Sequence, residues 1–277
     1  MKRNKSKIII QIAVLAVMAF FSVLLLFPFF WMLSTSLKND IDVFRTPFRW
    51  IPNPPKWQNY SEVWTRVPFF LYYLNTIKIT VLSTLLQIII SAMAAYAFAR
   101  LRFKFKNVLF MIYLSTMMIP WHSIMIPQFI LISRLGLYDN HTALIILQAF
   151  SAFGIFLLRQ FFMGIPMELS VAARIDGCGE WRIFSRIILP LAGPGLATLT
   201  VFTFMRVWND YLAPLIYIQS TLKQTIQIGL TAFTGQYTMQ YGITMAGTVS
   251  SLVPIVLLFI ITEKHIIQGI AFSGLKN

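Results

Sequence analysis

The chain has 277 residues, of which 57% are hydrophobic and only 12% are charged. A soluble domain of this length would need far more polar surface, so the composition excludes most soluble proteins and predicts a membrane protein. The formal net charge of +14 would also suit a nucleic-acid-binding protein, but basic residues collect on the cytoplasmic loops of membrane proteins and explain the charge without nucleic acid.

Six predominantly apolar stretches are long enough to cross a bilayer as helices, for which roughly 17–25 residues are needed. The first follows the basic segment MKRNKSK and is too long for the apolar core of a signal peptide, so we interpret it as a retained span. All six are continuous rather than alternating, which favours helices over a β-barrel. The stretches are approximately Ile8–Leu33, Ile79–Ala99, Val108–Ile132, Thr142–Leu158, Ile187–Met205 and Gly242–Ile261.

Two of the predicted spans contain prolines. The third contains Pro120 and Pro127, and the fifth contains Pro190 and Pro194. A proline lacks the backbone N–H and clashes with the preceding turn, so we expect these helices to be kinked, to be broken or to begin at the prolines.

Basic residues indicate how the chain is oriented. Six spans place both termini on one side, and more Lys and Arg residues fall on that side, including a short loop at residues 100–106 that carries four of them. The positive-inside rule therefore predicts cytoplasmic termini. On the opposite side, residues 38–68 and 217–241 are long and aromatic. They are interpreted either as an interfacial belt or as a docking surface for an extracytoplasmic partner.

The loop between the fourth and fifth spans has the pattern of two short helices. Residues 167–175 contain neither Gly nor Pro, which favours a helix, and two glycines follow. Residues 180–188 are predicted to form the second helix, on which Trp181, Phe184 and Ile188 make one apolar stripe. On pattern alone, the loop is either a docking surface for another protein or an amphipathic loop lying on the membrane.

The same loop carries a composite motif that resembles the coupling loop of ATP-binding-cassette importer permeases. It reads Ala172-Ala173-Arg174-Ile175-Asp176-Gly177, followed by Phe184 and by Leu189-Pro190-Leu191. Most of the chain looks like the carbohydrate-uptake permeases of the maltose or multiple-sugar type, including Asn75, Tyr96, Trp208-Asn209-Asp210-Tyr211 and Gly269-Ile270-Ala271. The family usually has a glutamate directly ahead of the alanine pair, where this chain has Val171.

The resemblance implies an all-α, polytopic membrane protein with six transmembrane helices and the type I importer permease architecture. Residues 1–69 would form an N-terminal transmembrane helix and an extracytoplasmic loop. Residues 70–262 would form the core permease domain, with the coupling loop at about residues 166–190. Residues 263–277 would be a cytoplasmic tail.

The resemblance also implies the function and the partners. The chain would be the permease subunit of an ATP-driven, binding-protein-dependent importer for a sugar or oligosaccharide, and it would not itself be an enzyme. The expected partners are a second, different permease subunit, two ATPase subunits, an extracytoplasmic sugar-binding protein and the lipids of the cell membrane. ATP and Mg²⁺ would be held by the ATPase subunits, and no cofactor, metal or nucleic acid is expected on this chain.

Two groups of site residues follow from this family resemblance. The ATPase-coupling residues are Ala172, Ala173, Asp176, Gly177, Glu180, Phe184, Leu189 and Pro190. The substrate-pathway candidates are Trp208, Asn209 and Tyr211, because aromatic rings pack on the CH faces of sugars and amides bond to hydroxyl groups. No catalytic residue is predicted.

Ionisable residues at membrane depth are costly and often functional. Arg206 and Asp210 are spaced i, i+4 on one helix and are expected to pair with each other. His122 lies between two prolines and is interpreted as a histidine at a broken helix rather than a metal ligand.

Three alternative functions remain open at this point. The same architecture could import amino acids, phosphate esters or peptides. An ion-coupled secondary carrier would predict internal repeats and buried acids at mid-span, and neither is visible in the sequence. A membrane-embedded enzyme acting on lipids would predict a catalytic cluster near an interface, and none is visible.

Overall fold

A computed structural model describes residues 5–234 and 240–274 of the chain. The elements that determine the fold are helices, as the sequence predicts. They are α1 (Lys5–Ser36), α2 (Gln58–Arg66), α3 (Phe69–Arg100), α4 (Lys106–Ser115), α5 (Trp121–Arg134), α6 (His141–Gln148), α7 (Ala152–Gly164), α8 (Met167–Ile175), α9 (Glu180–Ile183), α10 (Leu189–Leu191), α11 (Gly193–Trp208), α12 (Leu212–Tyr217), α13 (Ile226–Thr231) and α14 (Tyr241–Gly274). The predicted tail at 263–277 begins inside α14, and its last three residues lie outside the described part of the chain.

Three of the helices are long and apolar enough to cross a membrane unbroken, over Ile9–Ser36, Phe69–Arg100 and Tyr241–Lys264. Three further candidates are pairs of helices bent by more than 40° at a short break, so the described residues contain up to six spans if each pair counts as one. This agrees with the six stretches of the sequence.

Two of the three bends occur where prolines predict them. Helices around Pro120 meet at 98°, and the helices that meet at residue 192 between Pro190 and Pro194 are bent by 77°. Pro127, in contrast, lies inside α5 without ending it. The third bend, of 41° between α6 and α7, was not predicted from the sequence, because residues 149–151 between the two helices include neither Pro nor Gly. Ser151 creates the new helix start there, since its Oγ accepts a hydrogen bond of 3.1 Å from the backbone N–H of Gly154.

The chain divides into two compact units. One unit combines the residues up to Phe69 with Leu230–Leu252, and the other combines Phe70–Gly229 with the residues from Val253 onward. In the first unit, the apolar side chains of α1 are exposed along most of its length, whereas Ser34, Thr35 and Ser36 at its end are buried.

The second unit contains two hydrophobic clusters. One joins α3, α7, α9 and α11 through buried residues such as Ala95, Leu158 and Ile183, and the other includes Ile79, Leu144 and Tyr217. Close helix approach matters in the first cluster, because a Cβ added at Gly154 would lie 2.6 Å from Ser91 Oγ. The first cluster also includes Ala173 and Phe184, so it packs the loop that follows α7 against the membrane helices.

Candidate functional site

The loop predicted to be the coupling loop is a pair of short helices joined by a glycine turn. Helix α8 ends at Ile175, and Gly177 has a φ angle of +78°. The N–H of Cys178 donates to the carbonyl of Ala173 (2.9 Å), and the N–H of Gly177 donates to the carbonyl of Arg174 (3.0 Å). These two bonds with a left-handed residue define a Schellman motif, so the predicted turn at Gly177 is confirmed.

The second helix of the loop differs from the prediction. Instead of one regular helix over 180–188, α9 is followed by a π-helical turn at Phe184–Ile188. Because π-helical hydrogen bonds join residues five apart, Ile188 returns to the buried side on which Ile183 lies. Both are fully buried, and Phe184 is 6% exposed.

The predicted apolar stripe of Trp181, Phe184 and Ile188 is therefore wrong in one member. Trp181 is 66% exposed, although its ring contacts the ring of Phe184 at 5.4 Å. The buried face of the helix is centred between Ile183 and Phe184. Trp181 lies about a third of a turn away from the centre of that face. Beyond the π turn, Leu189 is partly buried and Pro190 is exposed.

Glu180 joins the two halves of the loop to a membrane helix. Its Oε1 accepts a hydrogen bond from Arg174 Nε at 2.7 Å, and its Oε2 accepts one from the Tyr96 hydroxyl at 2.6 Å. The hydrogen bond with this carboxylate raises the pKa of Arg174 above its ordinary value. The sequence predicts Glu180 as a coupling residue, and the structure shows that its carboxylate is already bound within its own chain.

Arg100 holds the start of the loop from the same helix, α3. Its Nη2 donates to the carbonyls of Phe162 (2.5 Å) and Ile165 (2.6 Å), and the residue is 5% exposed. These carbonyls lie at the end of α7, where a helix leaves acceptors without intrahelical partners. Sequence reasoning treats Arg100 only as a sign of topology. Its buried role was missed because both acceptors are more than 60 residues away.

The outer side of the loop presents apolar side chains to its surroundings. We call this the coupling surface, and it consists of Leu169, Val171, Ala172, Ile175 and Trp181, all of which are exposed. The exposed fraction is 81% for Ile175 and 46% for Val171. Asp176 and Gly177 adjoin this surface and are exposed as well, whereas Ala173, the second alanine of the motif, is buried. The motif therefore divides into residues that pack inward and residues that are available to another protein.

The three substrate-pathway candidates have different surroundings. Trp208 is 1% exposed, and its ring stacks on Phe204 with centroids 5.6 Å apart. Asn209 is exposed and Tyr211 is 37% exposed. Only the latter two are open in this chain, and the role of all three in a pathway stays a prediction.

Arg206 and Asp210 do not form the direct ion pair that their spacing predicts. Gln148 lies between them, because its carbonyl oxygen accepts from Arg206 and its Nε2 donates to Asp210 Oδ2 at 2.7 Å. Arg206 Nη2 also donates to Gln87 Oε1 at 2.8 Å, and Gln87 Nε2 donates to Thr203 Oγ1 at 2.8 Å. An amide can accept from a cation and donate to an anion at once, so a glutamine can link the two charges.

These five residues form a polar cluster among apolar helices. Gln87 is 1% exposed, whereas Arg206 is exposed. A small cavity beside the cluster is lined in part by Gln148, Asp210 and three threonines, Thr76, Thr80 and Thr225. The sequence identifies the charged members, but it could not show that the two glutamines, from α3 and α6, meet them.

No group of residues suited to a metal ion occurs among residues 5–234 and 240–274. His122 is exposed, and its ring lies edge-on to that of Trp121 with centroids 5.6 Å apart.

Comparison with known proteins identifies a family and several relatives. Residues 87–266 match the family described as binding-protein-dependent transport system inner membrane component. The chain is 33% identical to the arabinooligosaccharides transport system permease protein of Halalkalibacterium halodurans over the full length of both. It is 32% identical to the lactose transport system permease protein of Rhizobium radiobacter, with 98% of this chain and 97% of that protein covered. It also resembles a chain in the crystal structure of a bacterial ABC transporter that imports the acidic polysaccharide alginate, with a TM-score of 0.81, 25% identity, and coverage of 95% of this chain and 99% of that one.

Proposed function

The chain belongs to the family of binding-protein-dependent transport system inner membrane components, and we propose that it is the permease subunit of an ATP-driven importer for a sugar or oligosaccharide. The relatives whose names specify arabinooligosaccharides and lactose support this substrate class. The chain is a membrane component, with up to six spans among its described residues.

The proposed coupling role rests on one observation. The inner side of the loop is hydrogen-bonded to a membrane helix, and its outer side is exposed. Tyr96 and Arg100, one turn apart on α3, hold the loop by hydrogen bonds to Glu180 and to the end of α7. A loop tied in this way moves together with α3. A partner that pushes on the coupling surface would therefore displace a membrane helix as a rigid body.

ATP hydrolysis takes place on separate subunits in this proposal. Two ATPase subunits hold ATP and Mg²⁺, a second and different permease subunit completes the pathway, and an extracytoplasmic sugar-binding protein delivers the substrate. This chain then needs no cofactor. Closure of the ATPase dimer around ATP moves the coupling surface and shifts the membrane helices towards the outward-open state.

The polar cluster supports a pathway for a hydroxyl-rich solute. Arg206 is an exposed residue one turn before Asn209 at the end of α11, and Tyr211 follows two residues later. Donors and acceptors of this kind can replace water around sugar hydroxyls, while the aromatic face packs against the ring. The three sequence candidates therefore stay in the proposal, with Asn209 and Tyr211 exposed to the solute and Trp208 buried in a stacked contact with Phe204.

Cysteine cross-linking tests the coupling role. In a Cys178→Ser background, which removes the single native thiol, Ile175→Cys should cross-link to a copurified ATPase subunit, and the yield should change when ATP is added. Ile175 is a better position than Ala173, because Ala173 is only 6% exposed. Leu222→Cys is a matched control, since Leu222 is an apolar residue with 65% exposure that lies between the fifth and sixth spans, on the side predicted to face away from the ATPase. If Ile175→Cys gave no cross-link in a complex that still transports, the coupling role would be wrong.

A further inference from the structure

A basic cavity lies directly after the first membrane helix, within the first compact unit. Lys38 lines this cavity, only two residues beyond the end of α1. The other lining residues are Asn39, Asp42, Arg45, Pro47, Arg49, Pro52, Asn53 and Pro54. Three prolines in so short a segment restrict the backbone and keep the cavity wall in one shape.

Lys38 is the most unusual residue of the cavity. It is 3% exposed, and its Nζ has no hydrogen-bond partner among the residues that the structure describes. The ammonium group lies 3.8 Å from the ring centroid of Phe48, which compensates for only part of the lost hydration. Burial lowers the pKa of Lys38, an effect that the nearby Asp42 opposes. A buried ammonium without a hydrogen-bonded anion is costly, so the site favours a ligand that brings one.

The other charged side chains that line the cavity do not neutralise the ammonium group of Lys38. Arg45 lies 3.4 Å from Asp42 and takes up part of the only carboxylate in the lining. Arg49 makes no ion pair with any described residue. Three basic side chains thus share one acidic side chain, and the cavity keeps a surplus of positive charge.

The loop around the cavity folds back along α1. The hydroxyl of Ser34 donates to the carbonyl of Trp50 at 2.5 Å, and the ring of Trp50 lies 5.2 Å from that of Phe27. Phe27 is about 13 Å below the end of α1 at a rise of 1.5 Å per residue. The loop therefore extends beside a helix whose surface is apolar and uncovered, and it carries exposed side chains of the same character, with Ile51 85% exposed.

We propose that this cavity binds the phosphate group of an anionic phospholipid whose acyl chains lie along α1 and beside Trp50 and Ile51. Basic residues at a membrane interface attract anionic headgroups, and tryptophans are common at the same level. An acidic side chain of a soluble partner would fit the charge, but it would not account for the apolar residues beside the cavity. The phosphate brings a negative charge close to the buried ammonium of Lys38, and the exposed Arg49 supplies a second cation.

The proposal predicts selectivity for headgroup charge. Phosphatidylglycerol should bind more tightly than phosphatidylcholine, which has the same phosphate but no net charge. Removing one basic residue near a membrane surface weakens binding of an anionic lipid by about fivefold. Arg49 is the residue to change first, because it is exposed and its loss should leave the fold intact.

Native mass spectrometry of the full chain, purified with the subunits that accompany it, provides the test. The wild type and the Arg49→Gln, Lys38→Met and Lys56→Gln variants are titrated with phosphatidylglycerol and, in parallel, with phosphatidylcholine. Lys56→Gln is the matched control, because Lys56 belongs to the same loop and carries the same charge but does not line the cavity. We expect phosphatidylglycerol binding to weaken about fivefold in Arg49→Gln and to be nearly unchanged in Lys56→Gln.

Three results would overturn the proposal. The wild type could bind the two lipids equally well, or Arg49→Gln and Lys56→Gln could lose the same affinity. Inorganic phosphate could also displace phosphatidylglycerol completely at millimolar concentration, which would identify a site for free anions rather than for a lipid. Because none of these three results depends on Lys38→Met, the test stands even if that variant fails to fold.

Discussion

Glu180 accepts hydrogen bonds from two side chains of its own chain, Arg174 and Tyr96. At the same loop, Val171 lies on the outside with 46% of its surface exposed, in the position where the family resemblance predicts a glutamate. The carboxylate of Glu180 is therefore used within the chain, and Val171 offers a partner an apolar side chain next to the exposed Asp176. The coupling surface of this subunit is expected to act through packing more than through charge.

The contrast between these two residues can be tested by substitution. Val171→Glu should leave transport-coupled ATPase activity nearly unchanged or raise it by up to about fivefold, because a carboxylate at this position can pair with a basic residue of the ATPase and an exposed ion pair is worth only about 0–1 kcal/mol. Glu180→Gln should lower coupling by up to about fivefold, since it removes a partly exposed ion pair of that size from the anchor of the loop. The measurement is ATPase activity of the reconstituted complex with and without binding protein and sugar. Loss of coupling in Val171→Glu with assembly intact would show that this side chain enters an apolar pocket of the ATPase.

Two loops of the second unit are joined by hydrogen bonds to a single carboxylate, that of Asp139. Asp139, which follows α5 and has a φ angle of +57°, accepts hydrogen bonds from the N–H and Oγ of Ser220 and from Lys223 Nζ. The hydrogen bonds from Ser220 and Lys223 hold the pKa of Asp139 well below its ordinary value. The segment after α12 is thereby fixed to the turn before α6.

The depressed pKa of Asp139 gives a prediction about pH. A carboxylate with a lowered folded pKa stabilises the fold fully above its unfolded pKa of about 3.9, and this stabilisation is lost as the pH falls through the lower, folded pKa. Hydrogen-exchange protection of the amides of Gln219 and Ser220 should therefore be equal at pH 7 and pH 5. Asp139→Asn should lower the protection at both pH values. The oxygen of the new amide can still accept the two backbone N–H groups, but its nitrogen can accept from neither Ser220 Oγ nor Lys223 Nζ. Asparagine tolerates a positive φ, so the backbone itself should be kept. A fall in protection between pH 7 and pH 5 that persists in His141→Gln, which removes the titratable ring beside the Lys223 carbonyl, would contradict the assignment.

The contacts between loops also constrain the topology of the molecule. Asp139, between the third and fourth spans, contacts Lys223, between the fifth and sixth. Arg100, at the end of the second span, contacts Phe162 and Ile165, at the end of the fourth. Loops that alternate along the chain thus meet in two separate groups, as expected if each bent helix pair crosses the membrane once.

Reporter fusions can determine which side each group of loops occupies. The excess of basic residues on the terminal side predicts that a fusion after Lys106 reports the cytoplasm and that one after Lys223 reports the exterior. An enzyme active only in the cytoplasm and one active only outside it should give opposite signals at the two positions. The reverse pattern would overturn the predicted orientation, and equal signals at both positions would contradict the count of spans.

The sequence by itself determined the number and approximate position of the spans, the bends at Pro120 and between Pro190 and Pro194, and the turn at Gly177. These features depend on local properties, namely continuous hydropathy, the missing N–H of proline and the freedom of glycine at positive φ. The composite motif also identified the family, because its spacing lies within a single loop.

Only the tertiary structure decided which motif residues face outward and which polar groups meet. Ala172 and Val171 are exposed while Ala173 is buried, a division that depends on where α8 packs against the rest of the unit. The link through Gln148, the hydrogen bonds of Arg100 and the cavity beside Lys38 depend on groups that lie apart along the chain or on the way the loop folds back. A linear pattern gives the chemistry of each side chain, whereas its partners are determined by packing, since a buried polar group is stable only where the fold brings it a partner.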